Sequence, residues 1–193
     1  MNKAKITDCD YIDFLIGTQK VYSCTEAERV QPDETGSPSH DAFTRHLHRL
    51  LPGADRLRTE VREHVDLKKG CLICDDSTPD KFYSRKIEPV TRHWSGRHKR
   101  VVSGINLITL PWTDGERYLP VDYRIYNKSA DSLTKNDHFR AMLRIAEERG
   151  FTPEFILFDT WYASLENLKF IRSLNWLWLT RSECNRHINP DKT

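Results

Sequence analysis

Nowhere does this chain offer the roughly 18 to 20 consecutive apolar residues that a bilayer-spanning helix needs. Its amino-terminal run, MNKAKITDCDYIDF, also lacks the apolar core of a secretory signal and carries Asp8, Asp10 and Asp13 instead. The expectation is therefore a cytoplasmic protein without a membrane span, whose five cysteines are thiols in a reducing compartment. Internal repeats and low-complexity tracts are missing, which excludes solenoids and disordered linker chains. An excess of one charge is missing too, because the net charge is only +2. What remains is a globular composition, 38% hydrophobic and 30% charged, in 193 residues. That length suffices for one domain with a real core plus a small helical appendage.

The small net charge hides a local imbalance. Between Lys81 and Arg100, KFYSRKIEPVTRHWSGRHKR, the cations Lys81, Arg85, Lys86, Arg92, Arg97, Lys99 and Arg100 face a single acid, Glu88. Phe82, Tyr83 and Trp94 are interleaved with them. Cations beside flat rings suit phosphate contact combined with packing on bases or sugars, so this stretch points to nucleic acid. The competing reading is a solvated loop whose charges only aid solubility.

Residues 1–67 read as helical. Tyr11, Phe14, Leu15, Thr18 and Tyr22 lie on one stripe, and QPDETGSPS, 31–39, breaks it. A second helix starts near Ser39 or Asp41, buries Phe43, Leu47, Leu50 and Leu51, and leaves Arg45, His46, His48 and Arg49 on a free face that could meet phosphate. Pro52-Gly53 ends it. A third places Leu57, Val61 and Val65 together. Such a three-helix region is either a small DNA-binding bundle or a packing module.

Residues 68–193 alternate differently. GCLICDD, RVVSGINLITLPW (100–112) and RYLPVDYRIYN (117–127) read as strands, the last two joined by a turn at Thr113-Asp114-Gly115. A helix follows, with Thr134 and Asp137 as a capping box, Phe139, Met142, Leu143 and Ala146 as its apolar face, and Gly150 as its stop. EFILFDTWY (154–162) is a fourth strand. Ser164 caps a helix bearing Leu165, Leu168, Ile171 and Leu174, and WLWLT (176–180) is a fifth strand. The order β-β-β-α-β-α-β is the connectivity of an α/β, ribonuclease H-like mixed sheet, here preceded by a small all-α region. In that connectivity the first strand is central and the fourth lies parallel beside it.

Strand one then ends in Asp76-Ser77 and strand four in Asp159-Thr160, at the same sheet edge. Adjacent strands lie about 4.8 Å apart, so two carboxylates placed this way could share a divalent cation. Hard oxygen donors select Mg²⁺ or Mn²⁺ over zinc. Neighbouring strand residues face opposite ways, so Asp75 and Asp76 cannot serve one ion equally. Asp76, which like Asp159 precedes a hydroxyl residue, is the preferred ligand, with Asp75 in a supporting role. The bland alternative is that each Asp merely forms a turn.

The segments DDSTPDK and FDTWYASLENLK, together with RHWSGRHKRVVSGINLITLPWTDGE and LTKNDHFRAMLRIAEERGF, resemble the DDE-class insertion-sequence transposases. The likeness runs across essentially the whole chain. It implies double-stranded DNA, transposon ends and target, as partner, a nucleoid-associated location, and pairing of two copies as an option. The implied chemistry is Mg²⁺- or Mn²⁺-dependent DNA cleavage and strand transfer, with Asp76 and Asp159 as catalytic metal ligands. Members of that class take a third carboxylate, a Glu, from a later helix. Here Glu183 is the sole late candidate and falls in an expected loop, so the chain reads as the N-terminal portion of a transposase, a truncated gene product or a fragment, inactive alone. The alternatives are a non-catalytic protein that binds transposon ends and a ribonuclease H-like nuclease.

Two other constellations invite metal. Cys71 and Cys74, three apart on a strand, point to opposite faces and read as buried thiols, and Cys184-x-x-His187 is a second pair that invites zinc. Trp161 and Tyr162, directly after the second acid, could stack on a distorted DNA end or pack as core.

Overall fold

In the computed structural model of the chain, residues 5–19, 21–32, 36–50, 59–60, 62–84, 86–96, 98–127 and 130–182 are described. They fall into two units, Met1–Gly53 and Ala54–Thr193. No described helix is long and apolar enough to cross a membrane.

In the first unit, helix α1 (Asp8–Gly17) opens with a reciprocal cap. Thr7 Oγ1 accepts the Asp10 N–H, and the Asp10 carboxylate accepts the Thr7 N–H. Ser23 caps α2 (Cys24–Arg29) by accepting the Glu26 N–H, and Ser39 stands at the start of α3 (His40–Arg49). Ile6, Phe14, Ala27, Ala42 and Phe43 form the core. Three sequence expectations change here. The first helix stops at Gly17, which leaves Tyr22 outside it and exposed, and α2 occupies part of the span read as its continuation. The buried face of α3 is Ala42, Phe43 and His46 rather than Phe43 and Leu47. Those three span about 100° of helix surface, and Leu47, about 40° further round than Phe43, falls off the edge. His46 is accordingly 4% exposed, its ring 5.8 Å from that of Tyr11 and its Nε2 3.6 Å from the Asp8 carboxylate, so it is not a surface group awaiting phosphate. Leu51, Pro52, Gly53, Leu57 and Val61 lie outside the described residues.

The second unit is a mixed α/β structure. Its five-stranded sheet has the order β5–β4–β1–β6–β7, from β1 (Cys71–Ser77), β4 (Asn106–Thr113), β5 (Tyr118–Tyr126), β6 (Phe155–Phe158) and β7 (Trp178–Thr180). β1, β4 and β5 are antiparallel neighbours, and β6 runs parallel to both β1 and β7. The first strand is thus central with the crossover strand parallel beside it, as the element order implies. Helix α4 (Lys135–Glu148) carries the expected Thr134–Asp137 capping box and buries Phe139, Met142, Leu143 and Ala146. Gly150 follows with φ +85°, a left-handed stop. Helix α5 (Leu165–Ser173) begins at Ser164, which accepts the Asn167 N–H. It buries Asn167 and Ile171, while Leu165 is 66% exposed. Val65 and Leu67, from the region read as N-terminal, pack on this unit's core.

The long strand expected over 100–112 is two strands. β3 (Arg100–Gly104) pairs with β2 (Thr91–Ser95) in a separate hairpin, and after Ile105 the chain re-enters the main sheet as β4. The switch occurs where the segment leaving β1 crosses. Lys81 N–H donates to Ser103 O at 2.8 Å, Ile105 N–H donates to Pro79 O at 3.2 Å, and Asp80 bridges Gly104. Gly104 permits this approach, since a Cβ there would stand 2.6 Å from Pro79 O. Likewise the fourth strand is four residues long. Asp159 leaves it to cap a 3-10 turn, Thr160–Tyr162, by accepting the Trp161 N–H.

Replacing Gly104 by Ala forces backbone apart at this crossing. We expect a loss of about 1–3 kcal/mol in urea unfolding, with faster amide exchange concentrated in β2 and β3.

Candidate functional site

Along β1 the side chains alternate, so Leu72 and Cys74 enter the core and Asp76 follows on their face, with Asp75 on the other. The Asp76 carboxylate is gripped on one oxygen. Its Oδ2 accepts from Asn106 Nδ2 at 2.8 Å and from Lys135 Nζ at 2.6 Å, whereas among the described residues Oδ1 has only a long contact, 3.5 Å, from the Tyr162 hydroxyl. Asn106 is the first residue of β4 and is buried; its Nδ2 also donates to Thr78 Oγ1 at 3.1 Å. Its Oδ1 is buried without a hydrogen-bond partner among the described residues. Lys135 is the first residue of α4, and its Nζ lies 5.8 Å from the centroid of the Tyr126 ring and 5.7 Å from that of Trp161.

Asp159 follows Phe158, and Phe158 is the register partner of Cys74 on the parallel neighbour strand. The two acids that come next on those strands, Asp75 and Asp159, therefore leave one sheet edge together, with Asp76 one residue further on. Asp159 Oδ1 accepts the Trp161 N–H at 2.9 Å, and its carbonyl accepts from Thr180 Oγ1 at 3.3 Å. Asp75 Oδ1 accepts the Asp76 N–H at 2.8 Å.

The electrostatics record the crowding. Burial, and then repulsion by Asp76 and Asp159, raise the Asp75 carboxyl above its ordinary value, against the opposing pull of the Asp76 N–H. Burial raises the Cys74 thiol well above its ordinary value, and Asp75, Asp76 and Asp159 add to it. The same three carboxylates, after burial and Cys74, push the Tyr162 phenol upward. On the hairpin side, burial and then the Lys135 charge lower the His93 imidazole. Negative charge thus gathers at one edge, with Lys135 as the cation bound within it.

The donors suit a small hard cation. Mg²⁺ is ordinarily held by one or two carboxylates with waters and substrate phosphate completing its shell. Asp76 Oδ1 and Asp159 are the carboxylate oxygens at this edge that could face such an ion. Among the described residues no group of three or more His, Cys, Asp or Glu is arranged to hold a metal ion. Glu183, Cys184 and His187 lie outside those residues. Cys71 and Cys74 face opposite ways, one half-buried and one buried, and do not form a chelating pair.

Lys81, Lys86, Arg92, Lys99 and Arg100 are all exposed, and none is ion-paired with another described residue. Arg85 and Arg97 lie outside the described set. Arg92 and Trp94 share the exposed face of β2, while His93 and Ser95 turn inward. Phe82 and Tyr83 are exposed and meet edge to face at 5.2 Å. Of the two aromatic residues after the second acid, Tyr162 is core, stacked on Phe139 at 5.1 Å, and Trp161 is 64% exposed.

Sequence reasoning missed Asn106 and Lys135. Asn106 had a signal, as the polar residue in the apolar run GINLITL, because a buried polar side chain needs a partner. Lys135 had none beyond its place next to a helix cap, since its partner is 59 residues away.

No family model matches the chain, and no curated protein matches it. Among solved structures, the piggyBac transposase synaptic complex with hairpin DNA is similar at 14% identity and a TM-score of 0.48, over 97% of this chain and 40% of that one. The Drosophila P element transposase strand transfer complex is similar at 12% identity and 0.48, over 94% and 42%. The Mos1 strand transfer complex is similar at 12% identity and 0.36, over 96% and 61%. The chain therefore spans 40 to 61% of the length of these three.

Two outcomes follow from the geometry. Asn106→Ala strips Asp76 and Thr78 of a buried donor and should cost about 1–3 kcal/mol in chemical unfolding. Alkylation by iodoacetamide at mildly alkaline pH should label the exposed Cys9 and spare Cys74 until denaturant is added, because burial and three neighbouring acids keep the Cys74 thiolate scarce.

Proposed function

We propose that the chain carries the ribonuclease H-like catalytic core of a DDE-class insertion-sequence transposase, which binds double-stranded DNA and cleaves and transfers its strands with Mg²⁺ or Mn²⁺. The observation that carries this reading is that, on parallel neighbour strands, Asp159 comes one residue after Phe158 while Asp76 comes two after its register partner Cys74 and on the same strand face as Cys74. The motif likeness of DDSTPDK and FDTWYASLENLK adds the reaction class. Asp76 and Asp159 hold the cation. When bound, that ion supplies Lewis acidity to a phosphodiester and a deprotonated water or 3′-hydroxyl near neutral pH.

The chain's own groups do the remaining work. Asn106 fixes the Asp76 carboxylate by its Oδ2, so that Oδ1 is left to face the site. Asp75 acts one step back, its Oδ1 accepting the Asp76 N–H and so orienting the strand end. Tyr162, stacked on Phe139, seals the floor against water. The exposed cations Lys81, Lys86, Arg92, Lys99 and Arg100, with Arg85 and Arg97 from the same segment, take the DNA backbone. Two paired copies would hold two DNA ends.

Three measurements test the proposal. Affinity for a duplex should fall linearly with salt on logarithmic axes, and Arg92→Ala and Lys99→Ala should each make that slope shallower by about 1. Mn²⁺ should bind the wild-type chain and be lost in Asp76→Asn and Asp159→Asn, and any nicking of supercoiled DNA should be lost with it. Mn²⁺ binding or nicking that survives both substitutions would overturn the metal assignment. Duplex binding without Asp76-dependent Mn²⁺ binding would select the non-catalytic alternative, a protein that only occupies transposon ends.

A further inference from the structure

The geometry points to Lys135 as an exchangeable counter-cation of Asp76, neutralising that carboxylate in the absence of a divalent ion and passing to a DNA phosphate when the ion binds, so that DNA and cation bind cooperatively. This rests on the reading of Asp76 as a ligand of a divalent cation.

The contact itself is close and sheltered. Lys135 Nζ stands 2.6 Å from Asp76 Oδ2, and the two side chains are 19% and 18% exposed. At that depth a charge left alone is costly, so neither group is stable without a partner. A divalent cation arriving at Asp76 competes for the same negative charge, and like charges at such range repel strongly. The ammonium must then move off or weaken its hold.

The surroundings give it somewhere to go. Backbone at the start of α4 is pinned by the Thr134–Asp137 box, while the lysine stem above it has four rotatable carbons. Its head lies between the rings of Tyr126, buried, and Trp161, exposed, so one wall of its berth is surface. The hairpin that carries Arg92 and Trp94 on its outer face is tied to the segment leaving the Asp76 strand by the Lys81 N–H to Ser103 O bond. A phosphate drawn in along that hairpin offers the anion that replaces Asp76 as partner. Asn106 keeps its own bond to Oδ2 throughout and preserves the carboxylate's orientation.

The test is Mn²⁺ binding by electron paramagnetic resonance on the full chain, with and without a short duplex, for wild type and Lys135→Met. Without DNA, Lys135→Met should bind Mn²⁺ about tenfold more tightly than wild type, and the extra tightening that DNA confers on the wild type should shrink by about tenfold in the variant. Lys135→Arg, which keeps the charge, should retain the coupling. Lys135→Gln replaces the Met variant should the latter melt early. Equal Mn²⁺ affinity and equal DNA coupling in wild type and the uncharged variants, with Mn²⁺ binding still lost in Asp76→Asn, would overturn the role of Lys135 and leave the metal site standing. Mn²⁺ binding that ignores Asp76 in every variant would overturn both.

Discussion

Four backbone pairings, Cys71 to Cys74 against Phe155 to Phe158, hold the central strand to its parallel neighbour, and the candidate site exists only because of them. In a parallel ladder both strands finish at the same edge, so whatever follows each strand is delivered to one place without any loop having to aim it. Here the followers are acids. Concentrating carboxylates is unfavourable in itself, and it adds to burial, the larger cause, in raising the Asp75 and Cys74 groups. The fold offsets that cost with Asn106 from the antiparallel side of the sheet and Lys135 from a helix terminus. Strand order thus decides which acids meet, and side chains from other elements decide whether they can remain there.

Much of this was readable in the sequence where the signal is local. The Thr134–Asp137 box, the Phe139, Met142, Leu143 and Ala146 stripe, and the Ser164 cap depend on residues within one or two helical turns, and each stands where the spacing puts it. Both acids were legible because strand ends are marked by a change from apolar to polar residues. What escaped depends on contacts distant in sequence. The division of residues 100–112 into two strands comes from Pro79 and Lys81 crossing at Gly104, a contact no periodicity encodes. Leu165 is apolar yet exposed, because it lies roughly 120 to 160° round α5 from the buried Ile171 and Asn167, the latter bonding Asn136 and the Tyr162 carbonyl. His46 is buried because α3 presents Ala42 and Phe43 to its core, and the residue one turn on goes with them.

The N-terminal unit rests on a different economy. Its core is one isoleucine, two alanines and two phenylalanines, and its helices are short, so caps carry a large share of their definition: Thr7 and Asp10 for α1, and Ser23 for α2. Glu26, nearly buried, is satisfied by a two-pronged bond from Arg29, at 2.7 and 2.6 Å. Polar residues hold the second unit as well: Asn167 is fully buried and its amide donates to Asn136 and the Tyr162 carbonyl.

The change of partner at Gly104 has a mechanical side. β3 belongs to the basic hairpin, β4 belongs to the sheet, and only Ile105 separates Gly104 from Asn106, whose amide grips Asp76. Hairpin and carboxylate therefore share a fulcrum, clamped by the Lys81–Ser103 and Ile105–Pro79 bonds. A pull on the outer face of the hairpin, whatever grasps it, acts on a lever arm whose pivot lies one peptide from the residue that sets the angle of Asp76.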